Sequence, residues 1–283
     1  MSQLSFPNFG ELVMAVVLPI GYAQFHDLES DRTTCVTLRA WARAGERYDV
    51  FTCCDATTAH WLCLGGARVL LVSWRAVAGI LGTTAVSVSL MASIAASISR
   101  TVRDAFVIVD YPNELGQSHQ DHADQIQRLH EISRASAVKV RGTSAQLLEL
   151  LTQPALVTVP IVVSPVVAVP EASLRNTRFS LRGVEAAVAI TAGLLPAAEA
   201  GAAAVFLESI DSAVAKHVVT RLRRRCPELP IMGSKSGDAC PGRVHLLHDV
   251  VGCASDESSS AGLGVEIVGM VRRCLNRDSV PFL

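Results

Sequence analysis

Charged and hydroxylic side chains stand just beyond the apolar runs of this chain: Asp55, Ser73-Trp74-Arg75, Asp110, Lys139 with Arg141, Ser164, Glu208, Ser234 with Lys235, and His248-Asp249. A carboxylate so placed can accept a proton, and a Lys or Arg can hold an oxygen anion as it forms. One polar residue after a strand is an ordinary loop residue or half of an ion pair. Several arriving from different strands carry more weight, because burying a charge without a partner costs on the order of several kcal/mol. His119 and His122 have a spacing that superficially suits a metal, but in their polar loop they read better as solvated loop or helix-start residues. His245 and His248 flank the last apolar run at a three-residue spacing.

What must position these residues is an alternation of short apolar runs with helical patterns. Strands are expected at 48–54, 68–72, 105–109, 137–140, 156–163, 203–207 and 229–232, with a weaker eighth at 244–247. Several runs are continuous rather than alternating, as strands covered by helices on both faces must be. Helices are expected at 83–99, 120–134, 183–200 and 212–225. The first places Val86, Leu90, Ile94 and Ile98 at four-residue intervals behind an N-cap at Thr83 or Thr84. The third ends at Gly201 and contains Pro196, where a kink or break is expected. This pattern predicts an α/β fold, a closed (β/α)8 TIM barrel over residues 37–283, with a short N-terminal arm over 1–36. Barrels of that kind commonly take ~250 residues and gather their active sites where strands run into the following loops. No Gly-rich dinucleotide turn follows the first strand, where the chain reads Thr52-Cys53-Cys54-Asp55-Ala56.

Composition excludes several classes of function. Half of the 283 residues are apolar and 18% are charged, which suits a large core. A formal net charge of −1, with 25 basic and 26 acidic side chains, gives no field for nucleic acid. The basic cluster Arg221-Leu222-Arg223-Arg224-Arg225 ends a helix and complements its dipole. The eight cysteines show neither metal nor disulfide spacing and read as separate thiols in a reducing compartment. The apolar stretch 12–23 has no Lys or Arg before it and is interrupted by Pro19 and Gly21, so it reads neither as a signal peptide nor as a membrane span. The expectation is a soluble, cytoplasmic protein without a nucleic-acid or membrane partner.

Residues 37–252 resemble the ketopantoate hydroxymethyltransferase family. The resemblance is carried by Phe51-Thr52-Cys53-Cys54-Asp55, Val109-Asp110-Tyr111-Pro112, Val138-Lys139-Val140, Val205-Phe206-Leu207-Glu208, and Gly242-Arg243-Val244-His245-Leu246-Leu247-His248-Asp249. Their order and spacing are more specific than any one piece. The resemblance extends more distantly to barrels of the phosphoenolpyruvate mutase/isocitrate lyase type. It implies a β/α barrel, a bound magnesium, assembly into rings of subunits, and transfer of a one-carbon unit from methylene-tetrahydrofolate to the enolate of an α-keto acid. It also implies that Glu208 is the base and that Asp110 is one of the metal-binding acids.

The chain departs from the family where the metal would bind. The family's Gly-Asp-Ser is Ser73-Trp74-Arg75, so one acid falls on Trp74. Its Lys-Ile-Glu-Gly is Lys139-Val140-Arg141-Gly142, and its His-Leu-Gly histidine falls on Ser164 or Pro165. Its Tyr-Lys-Val-Gln-Gly loop reads Phe179-Ser180-Leu181-Arg182-Gly183. A hard divalent cation wants oxygen ligands, and Trp74, Asp110 and Arg141 sum to no formal charge. The expectation is therefore no metal and no cofactor, magnesium and methylene-tetrahydrofolate returning only if the family's own reaction is kept. Asp110, Lys139, Arg141 and Glu208 are the candidate catalytic residues. Trp74, Arg75, Ser73, Asp55, Ser164, Arg178 and Lys235 are the candidate substrate contacts. The expected activity is enolate or acid–base chemistry on a small carbonyl compound: an aldol-type addition or cleavage, a cyclisation or an isomerisation, of a kind that fits secondary metabolism. Magnesium-dependent hydroxymethyl transfer and a non-catalytic scaffold are the alternatives. A homo-oligomer is expected, from the family's rings and from the apolar stretch 12–23, which needs a surface to cover it.

Overall fold

The computed structural model describes residues 32–113, 115, 119–166 and 184–247. The N-terminal segment 1–31, with the apolar stretch on which the oligomer expectation leaned, lies outside the described residues, as do 167–183 and 248–283.

The β-branched and apolar runs form parallel strands β1 (Tyr48–Cys53), β2 (Val69–Val72), β3 (Phe106–Asp110), β4 (Ala137–Gly142), β5 (Ile161–Pro165), β6 (Ala204–Glu208), β7 (Ile231–Ser234) and β8 (Gly242–His245). They hydrogen-bond in chain order, and β8 closes onto β1, giving a closed barrel. Side chains alternate across each strand. One set, including Val50, Val69, Leu71, Phe106, Ile108, Ala137, Val162, Ala204, Phe206, Met232 and Val244, fills the barrel interior. The other set, including Val107, Val109, Val138, Val140, Val163, Val205 and Leu207, packs outward under the helices. Both faces are thus dry, which is why the runs read as continuous.

Helix α1 (Cys35–Ala44) is stapled by a capping box between Thr34 and Thr37 and sends Leu38 into the interior cluster. Its Trp41 ring lies 5.4 Å from that of Tyr48 at the start of β1, so the helix closes the end of the barrel where the strands begin. Around the outside run α2 (Ala56–Leu64), α3 (Trp74–Leu81), α4 (Val88–Thr101), α5 (His119–Ser133), α6 (Ser144–Leu151), α7 (Val184–Glu199) and α8 (Ser212–Arg225). Among the described residues, no helix is long and apolar enough to cross a membrane.

Several local expectations are corrected. Helix α4 starts at Val88 with Ser87 as its cap, not at Thr83 or Thr84. The Thr83 hydroxyl is spent in a turn with the backbone of Ala85, just after Gly82 ends α3 in the left-handed region. The apolar run at 156–163 is not one strand: Pro154–Leu156 is a short 3-10 turn, and β5 begins at Ile161 after Pro160. Proline has no N–H for a ladder, so the strand starts beyond it. Helix α7 has close to the expected span, and it is not broken at Pro196 but continues to Glu199.

Candidate functional site

Alternation along the strands decides what faces the mouth of the barrel. The next inward position after Ile108 is Asp110, after Ala137 come Lys139 and Arg141, after Val162 comes Ser164, after Phe206 comes Glu208, and after Met232 comes Ser234. Parallel register then sets neighbours side by side: Asp110 against Lys139, Arg141 against Ser164, Glu208 against Ser234.

The deepest element is the ion pair between Lys139 Nζ and Asp110 Oδ1, 3.0 Å apart, with side chains 5% and 4% exposed. The ammonium also lies 4.2 Å from the centroid of the Phe206 ring, a cation–π contact. The other oxygen of Asp110, Oδ2, accepts from the Trp74 backbone N–H at 3.2 Å. That amide is the first of α3, whose own N-cap, Ser73, makes no side-chain capping bond. Asp110 therefore caps α3 from the neighbouring strand, putting a negative charge where helix N–H groups need an acceptor.

Above this pair sits Glu208, about which three cations gather. Arg75 Nη1 donates to Oε1 at 2.8 Å, while Lys139 Nζ and Arg141 Nε each lie 3.9 Å from Oε2. Arg75 is the exposed member of the group, and its guanidinium carbon lies 5.6 Å from the centroid of the Trp74 ring. The turn that carries Glu208 is braced by Ser236, whose buried hydroxyl donates towards the Leu207 and Ser234 carbonyls and accepts from the Ile210 N–H. Nothing in the sequence beyond a Gly- and Ser-rich turn announced Ser236. Nor did it announce Phe206 as the floor beneath Lys139.

Of the expected site residues, Asp110, Lys139, Arg141, Glu208 and Arg75 come together, with Trp74 supplying its backbone and its ring. Ser164 is buried on β5 beside Arg141. Asp55 is occupied elsewhere: it is the N-cap of α2, accepting from the Thr58 N–H and hydroxyl. Lys235 is exposed with a left-handed backbone, and the ion pairs of Glu208 are with Arg75, Arg141 and Lys139. Arg178, His248 and Asp249 lie outside the described residues. His122 Nδ1 bonds the Tyr111 hydroxyl at 2.7 Å, which also donates to Gln125, so that histidine is tied into the start of α5. His245 pairs with Asp49 at 2.7 Å and stacks on Phe51, on the outward face of β1 and β8.

Known proteins share this fold. The fold is shared with 2,3-dimethylmalate lyase, a PEP mutase/isocitrate lyase superfamily member, at a TM-score of 0.58 over 88% of this chain and 89% of that one, with 17% identity. It is shared as well with phosphonopyruvate hydrolase in complex with oxalate and Mg++, at a TM-score of 0.56, 12% identity, and 89% and 93% coverage. The expectation of no cofactor is corrected by these relatives, since a barrel of the same fold holds magnesium. Among the described residues no three His, Cys, Asp or Glu side chains group to hold an ion, and both oxygens of Asp110 are engaged by Lys139 and the α3 amide.

In sequence, the 3-methyl-2-oxobutanoate hydroxymethyltransferase of Pseudomonas fluorescens (strain SBW25) is 29% identical over 230 residues, covering 77% of this chain and 81% of the relative. The strand-end residues Asp110, Lys139 and Glu208, whose convergence the barrel now explains, lie within the matched region. With the family model for ketopantoate hydroxymethyltransferase matching residues 32–261, the chain belongs to the ketopantoate hydroxymethyltransferase family.

Proposed function

We propose that the mouth of the barrel is the active site of an enzyme that makes or breaks a bond beside a carbonyl group through an enolate. The observation that carries this reading is the placement of one carboxylate, Glu208, at the end of β6 within 3.9 Å of two cations that point in from β4. Glu208 takes the proton from the carbon next to the substrate carbonyl. The C–H electron pair becomes the C=C bond, and the carbonyl π pair moves onto oxygen. Lys139 and Arg141 hold that oxygen anion by charge and hydrogen bonding. The enolate then adds to an electrophile, or is reprotonated elsewhere, and the reverse sequence cleaves the same bond. Asp110 aims Lys139; it moves no proton.

A general base of this kind contributes ~10²–10⁴-fold in rate. The test is exchange of the α-proton in deuterated water, followed by NMR on a panel of 2-oxo acids, with and without added magnesium. The unaltered protein should exchange at least one of them, and Glu208→Gln should slow that exchange by about a hundredfold or more. Equal rates in the two proteins would remove Glu208 as the base.

Hydroxymethyl transfer to a 2-oxo acid, the reaction in the relatives' name, is the second reading. Family membership and the kept Asp110, Lys139 and Glu208 favour it. Incubation with labelled methylene-tetrahydrofolate and 3-methyl-2-oxobutanoate decides it: no label in the acid excludes the transfer.

A further inference from the structure

We propose that Arg75 selects the substrate by a second anionic group, so that the mouth takes a short dicarboxylate, and that Glu208 is the anion Arg75 holds until that group arrives. The inference rests on the mouth being the substrate site. Three cations, Arg75, Lys139 and Arg141, face two carboxylates, Asp110 and Glu208. Asp110 is consumed by Lys139 and by α3. That leaves two guanidiniums converging on the single carboxylate of Glu208, one on each oxygen.

The two guanidiniums differ in depth. Arg141 is mostly buried, at 26% exposure, and no hydrogen bond to its guanidinium is made among the described residues. Next to it in register is Ser164, 2% exposed, whose hydroxyl likewise has no hydrogen bond among the described residues. Arg141 with Ser164 is therefore an inner donor set with Glu208 standing off at 3.9 Å and no hydrogen bond made among the described residues, the kind of arrangement a carboxylate or enolate oxygen satisfies.

Arg75 is the outer receptor. It is 56% exposed and rests beside the Trp74 ring, which holds the guanidinium plane near the opening. Its bond to Glu208 is the most solvent-exposed contact of the cluster, so exchanging it for a substrate carboxylate costs little. The exchange also does chemistry: when Arg75 leaves Oε1, the carboxylate of Glu208 regains the lone pair it needs to accept a proton. A singly charged acid can fill the inner set but gives Arg75 no reason to let go. Because both guanidiniums already reach one carboxylate, the two anionic groups of the ligand must be close together.

The experiment is calorimetric titration with malonate and succinate, using propionate and butyrate as singly charged controls, on the unaltered protein, Arg75→Gln, Arg75→Lys and Glu208→Gln. One of the dicarboxylates should bind the unaltered protein better than its control by about tenfold, the scale of one exposed charge-assisted bond. Arg75→Gln should lose that advantage, and Arg75→Lys should keep part of it. Glu208→Gln removes the competing internal anion and should tighten the dicarboxylate by a similar factor. The proposal is overturned if Arg75→Gln keeps the full preference, if Glu208→Gln weakens dicarboxylate binding, or if neither dicarboxylate binds even to Glu208→Gln. Binding and proton exchange separate the two readings. Tighter dicarboxylate binding by a Glu208→Gln protein that still exchanges protons keeps the anion site and discards the base. Lost exchange with no change in binding does the opposite.

Discussion

Replacing Lys139 by Met should destabilise the barrel by about 3–5 kcal/mol, the usual cost of removing one partner of a buried ion pair. The structure accounts for the size. Lys139 and Asp110 are 5% and 4% exposed and 3.0 Å apart, so neither charge is compensated by water. At an effective dielectric constant of about 20, the attraction at that separation is on the order of 5 kcal/mol. Desolvation of the two ions offsets much of it in the intact protein, but a lone Asp110 keeps its desolvation cost and loses the attraction. The α3 amide remains as its hydrogen-bond donor, which holds the loss below the largest values for orphaned buried charges. Met fills the volume over Phe206 but forfeits the cation–π contact, a further ~1 kcal/mol. Asp110→Asn removes the charge and leaves one amide oxygen to accept from either Lys139 or the Trp74 amide, its NH2 facing the other donor, but Lys139 still has Glu208 at 3.9 Å. It should therefore cost less, about 1–3 kcal/mol. The double variant leaves no buried unpaired charge, so the two effects should not add, with a coupling of about 2–4 kcal/mol. Urea unfolding followed by circular dichroism, read as the midpoint at constant slope, measures all four corners of the cycle. A Lys139→Met cost below ~1 kcal/mol, with additive effects, would mean that the pair behaves as a solvated one and that the mouth is wetter than its burial indicates.

Three further outcomes are expected. Asp55→Ala removes the cap of α2 and should lower stability by about 1 kcal/mol in thermal unfolding; since Asp55 lies apart from the Glu208 cluster, a large loss of proton exchange without a loss of stability would return it to the substrate site. Arg141→Glu places a second carboxylate beside Asp110 and removes a repelling cation, so magnesium affinity measured by calorimetry should rise by about tenfold or more, and an unchanged affinity would show that the β4 position does not face Asp110 closely enough to share an ion. Burial, reinforced by Asp55 and Asp104 respectively, pushes the Cys54 and Cys63 thiols up to about 11. Their thiolate fractions are therefore small at neutral pH and climb about tenfold per pH unit, so iodoacetamide mapping should find both slow at pH near 7 and fast only in alkaline buffer. Rapid neutral alkylation of either would contradict their burial.

Much of this architecture follows from the order of residue types alone. A strand covered on both faces has no polar side, so Val-, Ile- and Leu-rich runs separated by helix-length segments mark parallel β/α units without any knowledge of their contacts. The same reasoning reached the strand-end residues, since the position after an apolar run is local information. Asp110, Lys139 and Glu208 were legible for that reason, and so was the family. Other features were not local. Asp55 and Asp110 look alike in sequence, each an acid closing a strand. One became the cap of its own following helix, and the other the cap of a helix that starts on the neighbouring strand. That difference depends on how adjacent strands are registered, which no spacing along the chain encodes. The partner of Glu208 depends on the same thing: Lys235 is near in barrel order, but a left-handed turn carries it out into solvent, and Arg75 reaches across instead. Which charges neutralise one another in the mouth is set by closure of the sheet, because only closure brings β2, β3, β4 and β6 around one axis at bonding distance.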